Sequence, residues 1–318
     1  MVNGRPLRIA FFGTPDFAVP TFKALLDSRH EVLAVVSQPD RPRGRGHRLQ
    51  PTPTKALAEL AGIPVLQPDR IRDQGFLGAI AAMSLDLGVV AAYGRILPER
   101  LLSIPRLGMI NLHASLLPEY RGAAPVHRAV IDGRDETGIT IMRVVRELDA
   151  GPMMATLRRA IGPGETSVEV EDALASLGAP LIVSVIDQLA AGTAVETPQD
   201  NAHATLAPKL TKAEGAIDWE LPAWRIHNLV RGLQPWPLVS GRLASQRYLV
   251  HRTRTTSQRT GAAGGTVVEA SGQTLAIAGG DGGVLHVLQI QPEGKRVMSA
   301  RDFLAGHAVA VGSRFVPG

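Results

Sequence analysis

The sequence predicts an α/β protein: a mostly parallel sheet covered by helices, followed by a smaller domain built as a β-barrel. Three observations lead to this. Across the first 190 residues short β-rich runs alternate with helical patterns, the signature of a parallel sheet with helices on both faces. Beyond residue 208 the runs are short strands separated by Gly-rich turns, which suggests a small barrel. Finally, residues 1–207 carry 21 Lys+Arg against 22 Asp+Glu, whereas residues 208–318 carry 13 against 7, so the positive charge is confined to the C-terminal part. At 318 residues the chain also has about twice the roughly 150 residues usual for one domain.

In order along the chain, 7–13 reads as a strand, 17–26 as a helix, 31–36 as a strand and 54–61 as a helix. Strands follow at 87–92 and 109–112, a helix at 125–131, and strands at 137–145 and 153–160. Residues 168–191 read as one long helix despite Pro180. The stretch 192–207 has a polar linker's composition and little periodicity, so it divides domain 1–191 from domain 208–318. In the second part 222–232 reads as helical and 243–251, 265–269, 274–278 and 284–291 as strands. Trp219, Trp224 and Trp236 all lie there and read as core residues.

Composition excludes several classes. Hydrophobic residues are 45% and charged residues 20%, enough apolar surface to fold and too little charge for wholesale disorder. With no cysteine, disulfides, thiolate metal sites and a cysteine nucleophile are out, and a reducing cytoplasm is the expected compartment. The nine histidines show no H-E-x-x-H spacing, so no metal is expected. Asp86 and Asp187 interrupt the two longest apolar stretches, and the 9–12 apolar core is too short for a secretory signal, so neither membrane nor export is expected. The 7–13 strand runs into Gly13-Thr14-Pro15-Asp16, which lacks the three-glycine dinucleotide spacing and puts an acid where a pyrophosphate would sit. Hydride transfer is therefore disfavoured.

Chemistry concentrates at Met109-Ile110-Asn111-Leu112-His113. Strand period two puts Asn111 and His113 on one side. An amide and an imidazole at a strand end suit acyl chemistry, since one donates to a developing oxyanion and the other moves a proton; the same pair also serves as a structural hydrogen-bonding cluster. Residues 38–51 carry Arg41, Arg43, Arg45 and Arg48 against Asp40 alone, with glycines and prolines that disfavour a helix or a central strand. They read as a mobile basic loop, suited to clamping phosphates and stacking on unpaired bases.

Asn111-x-His113-x-Ser115-Leu116-Leu117-Pro118 followed by Leu148-Asp149-Ala150-Gly151 resembles the active-site signature of enzymes that take a formyl group from 10-formyltetrahydrofolate. Within that superfamily the chain resembles the methionyl-tRNA formyltransferase family over nearly its whole length. Gly13-Thr14-Pro15-Asp16-Phe17-Ala18, the Gln38–Gly46 loop, Pro235-Trp236-Pro237 and Met298-Ser299-Ala300-Arg301-Asp302-Phe303-Leu304 carry this narrower likeness. The resemblance implies a Rossmann-like formyltransferase domain followed by an OB-like barrel that binds tRNA. It implies Asn111, His113 and Asp149 as catalytic residues, and 10-formyltetrahydrofolate and methionyl initiator tRNA as substrates, with no metal. Ser115, Leu116, Leu117 and Pro118 would shape the folate pocket, with Tyr93 and Gly94 lining the pteridine site. Arg45 would meet the acceptor arm together with Arg41, Arg43 and Arg48, while Lys209, Lys212, Arg247, Arg252 and Arg254 on the barrel would attract phosphates. A monomer is expected. The chain departs from the family pattern at Glu119, where a basic residue is frequent, and at Pro152, where a second aspartate can occur.

A formyltetrahydrofolate hydrolase or a sugar-amine formyltransferase shares the donor, but the arginine loop and basic C-terminal part argue against both. A catalytically idle RNA-binding relative would have no reason to keep Asn111, His113 and Asp149 together.

Overall fold

The structure, a computed structural model, describes residues 4–43 and 48–318. The chain forms two compact units: Met1–Ala123, Thr137–Arg159 and Glu171–Ala207 make the first, and Ala124–Glu136, Ala160–Val170 and Pro208–Gly318 the second.

In chain order the elements up to residue 191 are β1 (Arg8–Gly13), α1 (Val19–Leu26), β2 (Glu31–Val36), β3 (Arg41–Arg43), β4 (Arg48–Gln50), α2 (Pro53–Leu60), β5 (Val65–Leu66), α3 (Gln74–Ala82), β6 (Leu87–Ala91), α4 (Glu99–Leu102), β7 (Met109–His113), β8 (Arg121–Gly122), α5 (Pro125–Ile131), β9 (Glu136–Arg143), β10 (Met153–Ala160) and α6 (Ser167–Ala191). The main sheet of the first unit runs β10-β9-β7-β6-β1-β2-β5. Its five strands from β5 to β7 are parallel, and β9 lies antiparallel to β7. Every residue of β6 is buried, and Ile9 to Phe12 of β1 are fully so. Such unbroken apolar runs are what a sheet covered on both faces requires. α6 is long and apolar enough to cross a bilayer by length and composition. Here Leu174, Ile182 and Ile186 are fully buried, and the helix lies close on β7: a Cβ added to Gly178 would stand 2.7 Å from the Leu112 side chain.

β3 and β4 form a separate two-stranded antiparallel ladder, Arg41 opposite Gln50 and Arg43 opposite Arg48, consistent with a segment unsuited to helix or central strand. Arg45 lies outside the described residues.

The segment after α6 is bound along its length. Thr197 exchanges two 2.8 Å backbone bonds with Met153, and β11 (Leu206–Ala207) pairs in parallel with β8.

The second unit contains α7 (Ala223–Gly232), β12 (Val239–Leu243), β13 (Gln246–Arg259), β14 (Val267–Ser271), β15 (Thr274–Ala278), β16 (Gly283–Pro292), β17 (Met298–Ser299), α8 (Ala300–Gly306) and β18 (Phe315–Pro317). Its sheet has the order β14-β15-β16-β13-β12-β18. A Thr266–Arg314 bridge and 2.8 Å bonds from Val267 N to Ser313 O and from Phe315 N to Gly265 O tie its two edges together, so the sheet curls back on itself. Trp219, Phe303 and Phe315 fill the interior, and Ala124 and Ile131 add to it from the α5 segment.

Two expectations are corrected here. The strand expected at 243–251 is instead a hairpin: β12 ends at Leu243, the chain turns at Ala244, whose φ is +52°, and β13 continues to Arg259 because its polar second half pairs with β16. Trp219 is a core residue at 2% exposure, but Trp224 and Trp236 are 49% and 51% exposed. The inward face of α7 is taken by Ala223, Ile226 and Val230; Trp224 lies off it, with the Arg225 guanidinium 5.6 Å from its ring centre.

Candidate active site

β7 carries Asn111 and His113 at the carboxyl end of a central strand, where open parallel sheets present ligand sites. The strand is held by β6 on one side, with Val90 opposite Asn111, and by β9 on the other, with Asn111 opposite Met142 and His113 opposite Thr140. Asn111 is half-buried, and no other described residue takes up its amide. His113 is 6% exposed. Its Nε2 lies 3.0 Å from the Tyr120 carbonyl oxygen, and because a carbonyl only accepts, Nε2 carries a proton. Nδ1 then faces Asp149, with 3.7 Å to Oδ2.

Asp149 comes from the turn between β9 and β10 and has φ +47°, in the left-handed region that side chains other than glycine rarely adopt. Its Oδ2 accepts the Gly122 backbone N–H at 2.9 Å. Gly122 itself has φ +121°, and a Cβ there would stand 2.9 Å from the Ala207 carbonyl oxygen, so only glycine fits between Asp149 and β11.

The turn from Ser115 to Pro118 is locked rather than exposed. Ser115 Oγ donates to the Glu119 carbonyl at 2.6 Å, and Thr140 Oγ1 donates to the Ser115 carbonyl while accepting from Leu117 N. Ser115 is fully buried and Leu117 is 6% exposed; Leu116 packs against Gly138, and the Leu117–Pro118 peptide is cis. What this segment presents is a rigid backbone. Tyr93 is buried in the core, its ring edge-on to Phe12 at 5.7 Å, and burial pushes its phenol above the ordinary value. Its carbonyl accepts from Thr14 Oγ1 and Gln38 Nε2, tying the end of β6 to the loops after β1 and β2. Gly94 is exposed, at φ +82°.

The structure therefore brings Asn111, His113 and Asp149 to one end of the sheet, with Gly94 and the Ser115–Pro118 turn on adjoining strand ends. Arg41 is exposed on β3. Lys209 and Lys212 are exposed in the second unit, as is Arg254, whose Nη2 lies 3.4 Å from His286 Nδ1. Arg252 is paired with Glu169, and Arg247 with Ser240 at 3.1 Å and Glu293 at 3.6 Å, so the last two already have partners. Three residues that the sequence did not single out hold the site: Tyr120, whose carbonyl fixes the His113 ring; Thr205, whose Oγ1 accepts the Tyr120 N–H at 2.8 Å; and Gln199, which bonds the Asp149 turn. Thr205 and Gln199 stand in a stretch without periodicity, where no pattern marks a contact. Among the described residues no group of three or more His, Asp or Glu has metal-binding geometry.

The family model described as formyl transferase matches residues 7–186, and the formyl transferase C-terminal domain model matches residues 209–308. A methionyl-tRNA formyltransferase of Moorella thermoacetica is 44% identical over 306 residues, covering 96% of this chain and 98% of the relative. That of Desulfotalea psychrophila is 46% identical over 304 residues, covering 95% and 93%. The chain belongs to the methionyl-tRNA formyltransferase family. Among solved structures, an N-formyltransferase from Helicobacter canadensis in complex with folinic acid and dTDP-3-aminofucose superposes with a TM-score of 0.67 at 16% identity, over 90% of this chain and 99% of that one. A glycinamide ribonucleotide transformylase from Symbiobacterium toebii reaches 0.51 at 21% identity, over 62% and 96%. At such identities these two share the fold alone. The methionyl-tRNA formyltransferase relatives, by contrast, match across both units, and the protein is a formyl-transferring enzyme.

Proposed function

We propose that the protein transfers the formyl group of 10-formyltetrahydrofolate to the α-amino group of methionyl initiator tRNA, giving N-formylmethionyl-tRNA for translation initiation in the cytoplasm. The observation that carries the reading is the convergence of an unspent amide, an imidazole and a carboxylate at one strand end: Asn111, His113 and Asp149, with His113 Nδ1 and Asp149 Oδ2 3.7 Å apart. The Asn111 amide, which no described residue takes up, is the donor that a formyl oxygen needs, which fits a folate formyl donor at this end of the sheet.

The reaction forms a bond from the methionine nitrogen to the formyl carbon and breaks the bond from that carbon to N10. An α-amino group titrates at about 7.7–8.0, so a useful fraction is already the neutral nucleophile near pH 7. The larger problem is the negative charge that grows on the formyl oxygen, and Asn111 donates to it. His113 moves the proton between the two nitrogens. With Nε2 committed to the Tyr120 carbonyl, Nδ1 is the atom that takes and returns it, and Asp149 steadies the ring while that atom is charged. The locked backbone from Ser115 to Pro118 and the turn at Tyr93 and Gly94 bound the folate pocket.

In this reading the first unit, which includes the 192–207 stretch, carries the catalysis, and residues 208–318 form the body of an OB-like tRNA-binding domain acting in a monomer. Arg41, Arg43, Arg45 and Arg48 meet the acceptor arm, and Lys209, Lys212, Arg247, Arg252 and Arg254 supply phosphate attraction. The test is to incubate the protein with 10-formyltetrahydrofolate and methionyl-tRNA, with uncharged tRNA and free methionine as controls. N-formylmethionine on the RNA is the expected product, and formate release without labelled RNA would mark a hydrolase instead.

A further inference from the structure

We infer that Gln199 is a positioning residue for Asp149, and that the strand-like segment after α6 is a working part of the catalytic unit rather than a passive tether. The inference rests on the reading of Asp149 given above. Asp149 has two things to hold: a left-handed backbone, which is strained for a residue with a Cβ, and a carboxylate aimed at His113 Nδ1. One side chain, the Gln199 amide, is bonded toward both. Its Nε2 donates to the Asp149 carbonyl at 2.9 Å and to the Gly151 carbonyl at 2.8 Å, so it grips the turn on either side of Ala150. Its Oε1 accepts from Arg121 Nε at 3.1 Å and Nη2 at 2.7 Å. Arg121 immediately precedes Gly122, whose N–H holds the Asp149 carboxylate at 2.9 Å. The bonds thus form a closed circuit, from Asp149 carboxylate to Gly122, Arg121, Gln199 and back to the Asp149 carbonyl.

The amide is itself held firmly. Thr197 is bonded to Met153 in both directions, Asn201 Oδ1 accepts a third bond from Arg121 at 2.8 Å, and β11 continues alongside β8. Gln199 is half-buried in a stretch that is otherwise largely exposed, and its donors and its acceptor are all spent within the protein. It therefore acts through Asp149 and not on a substrate. A carboxylate moved by even about 1 Å can cost on the order of 100-fold in rate, so a residue that fixes both ends of Asp149 bears directly on turnover.

The experiment measures single-turnover formyl transfer to methionyl-tRNA for the full chain and for Gln199→Ala, Gln199→Glu, Asp149→Asn and the Asp149→Asn/Gln199→Ala double variant, with thermal melts of each. Gln199→Glu keeps the acceptor for Arg121 but, ionised, has no N–H for the two carbonyls, so it reports the positioning bonds even where Gln199→Ala folds poorly. Expected are a roughly 10- to 100-fold fall in rate for either Gln199 variant, KM for donor and for tRNA within about twofold, and less than about twofold further loss when Gln199→Ala is added to Asp149→Asn. Wild-type rates in both Gln199 variants would overturn the inference. So would an equal loss in both backgrounds, which marks a general structural effect. Full activity in Asp149→Asn would overturn it too, and would place the fault in the reading of Asp149 rather than in the bonds to Gln199.

Discussion

Among the described residues none takes up the side-chain amide of Asn111. On a strand whose other residues are buried, Asn111 is only part-buried, so its amide is open to a ligand while no described residue depends on it. Replacing it should therefore spare the fold and strike the reaction. For Asn111→Ala the expected outcome is a kcat lower by about 10²–10³-fold, the usual loss on removing an oxyanion donor, with folate affinity changed far less; steady-state kinetics beside a folate titration check it. His113 is the opposite case: its Nε2 is committed to a carbonyl, while Nδ1 faces a carboxylate at 3.7 Å, near enough to steady a charge there and too far for a hydrogen bond that would occupy the atom.

At the scale of elements, the first turn of α6 shows how a cap and an ion pair cooperate within the second unit. Thr166 N and Oγ1 both donate to Glu169 Oε2 at 2.8 Å, and Glu169 N returns a bond to Thr166 Oγ1, the reciprocal cap that ends a helix without stranded N–H groups. The backbone N–H of Thr166 and the Arg252 guanidinium hold the Glu169 carboxyl down at about 2. A depressed carboxyl pKa stabilises the fold above the unfolded value, near 4.5, and that stabilisation is lost as the pH falls toward about 2. Urea midpoints of the protein and of Glu169→Gln should thus differ most above about pH 5 and converge on acidification; a gap independent of pH would contradict this account. Much of this architecture was legible in the sequence. The β1 and β6 strands announced themselves as unbroken apolar runs, and Asn111 and His113 by their spacing. The long helix read correctly through Pro180. What escaped was set by partners far along the chain. Whether β9 runs against β7, where Ala244 breaks a strand, and that Gln199 and Thr205 lie against the site are facts of pairing, and no local period encodes them.

Over the whole molecule, the net positive charge falls on residues 208–318, but not all of it is available. Arg252 and Arg247 are engaged with Glu169 and Glu293, whereas Lys209, Lys212 and Arg254 are exposed. If these meet tRNA phosphates, KM for methionyl-tRNA should rise with salt, and each neutralised contact should remove roughly 0.7–0.9 from the slope of log affinity against log salt. Lys209→Gln/Lys212→Gln should flatten that slope while leaving KM for the folate unchanged; an unaltered slope would remove both lysines from the interface. The makeup of the second unit sets a further condition. Ala124 and Ile131 sit in its interior, and segments 124–136 and 160–170 belong to it, although both come from inside the first 191 residues. Severing the polypeptide at residue 208 would not yield two self-sufficient pieces: the front fragment would carry apolar side chains stripped of their cover, and the rear fragment would have a hole where they belong. Either half on its own is an incomplete object, because the second unit draws its sequence from both of them.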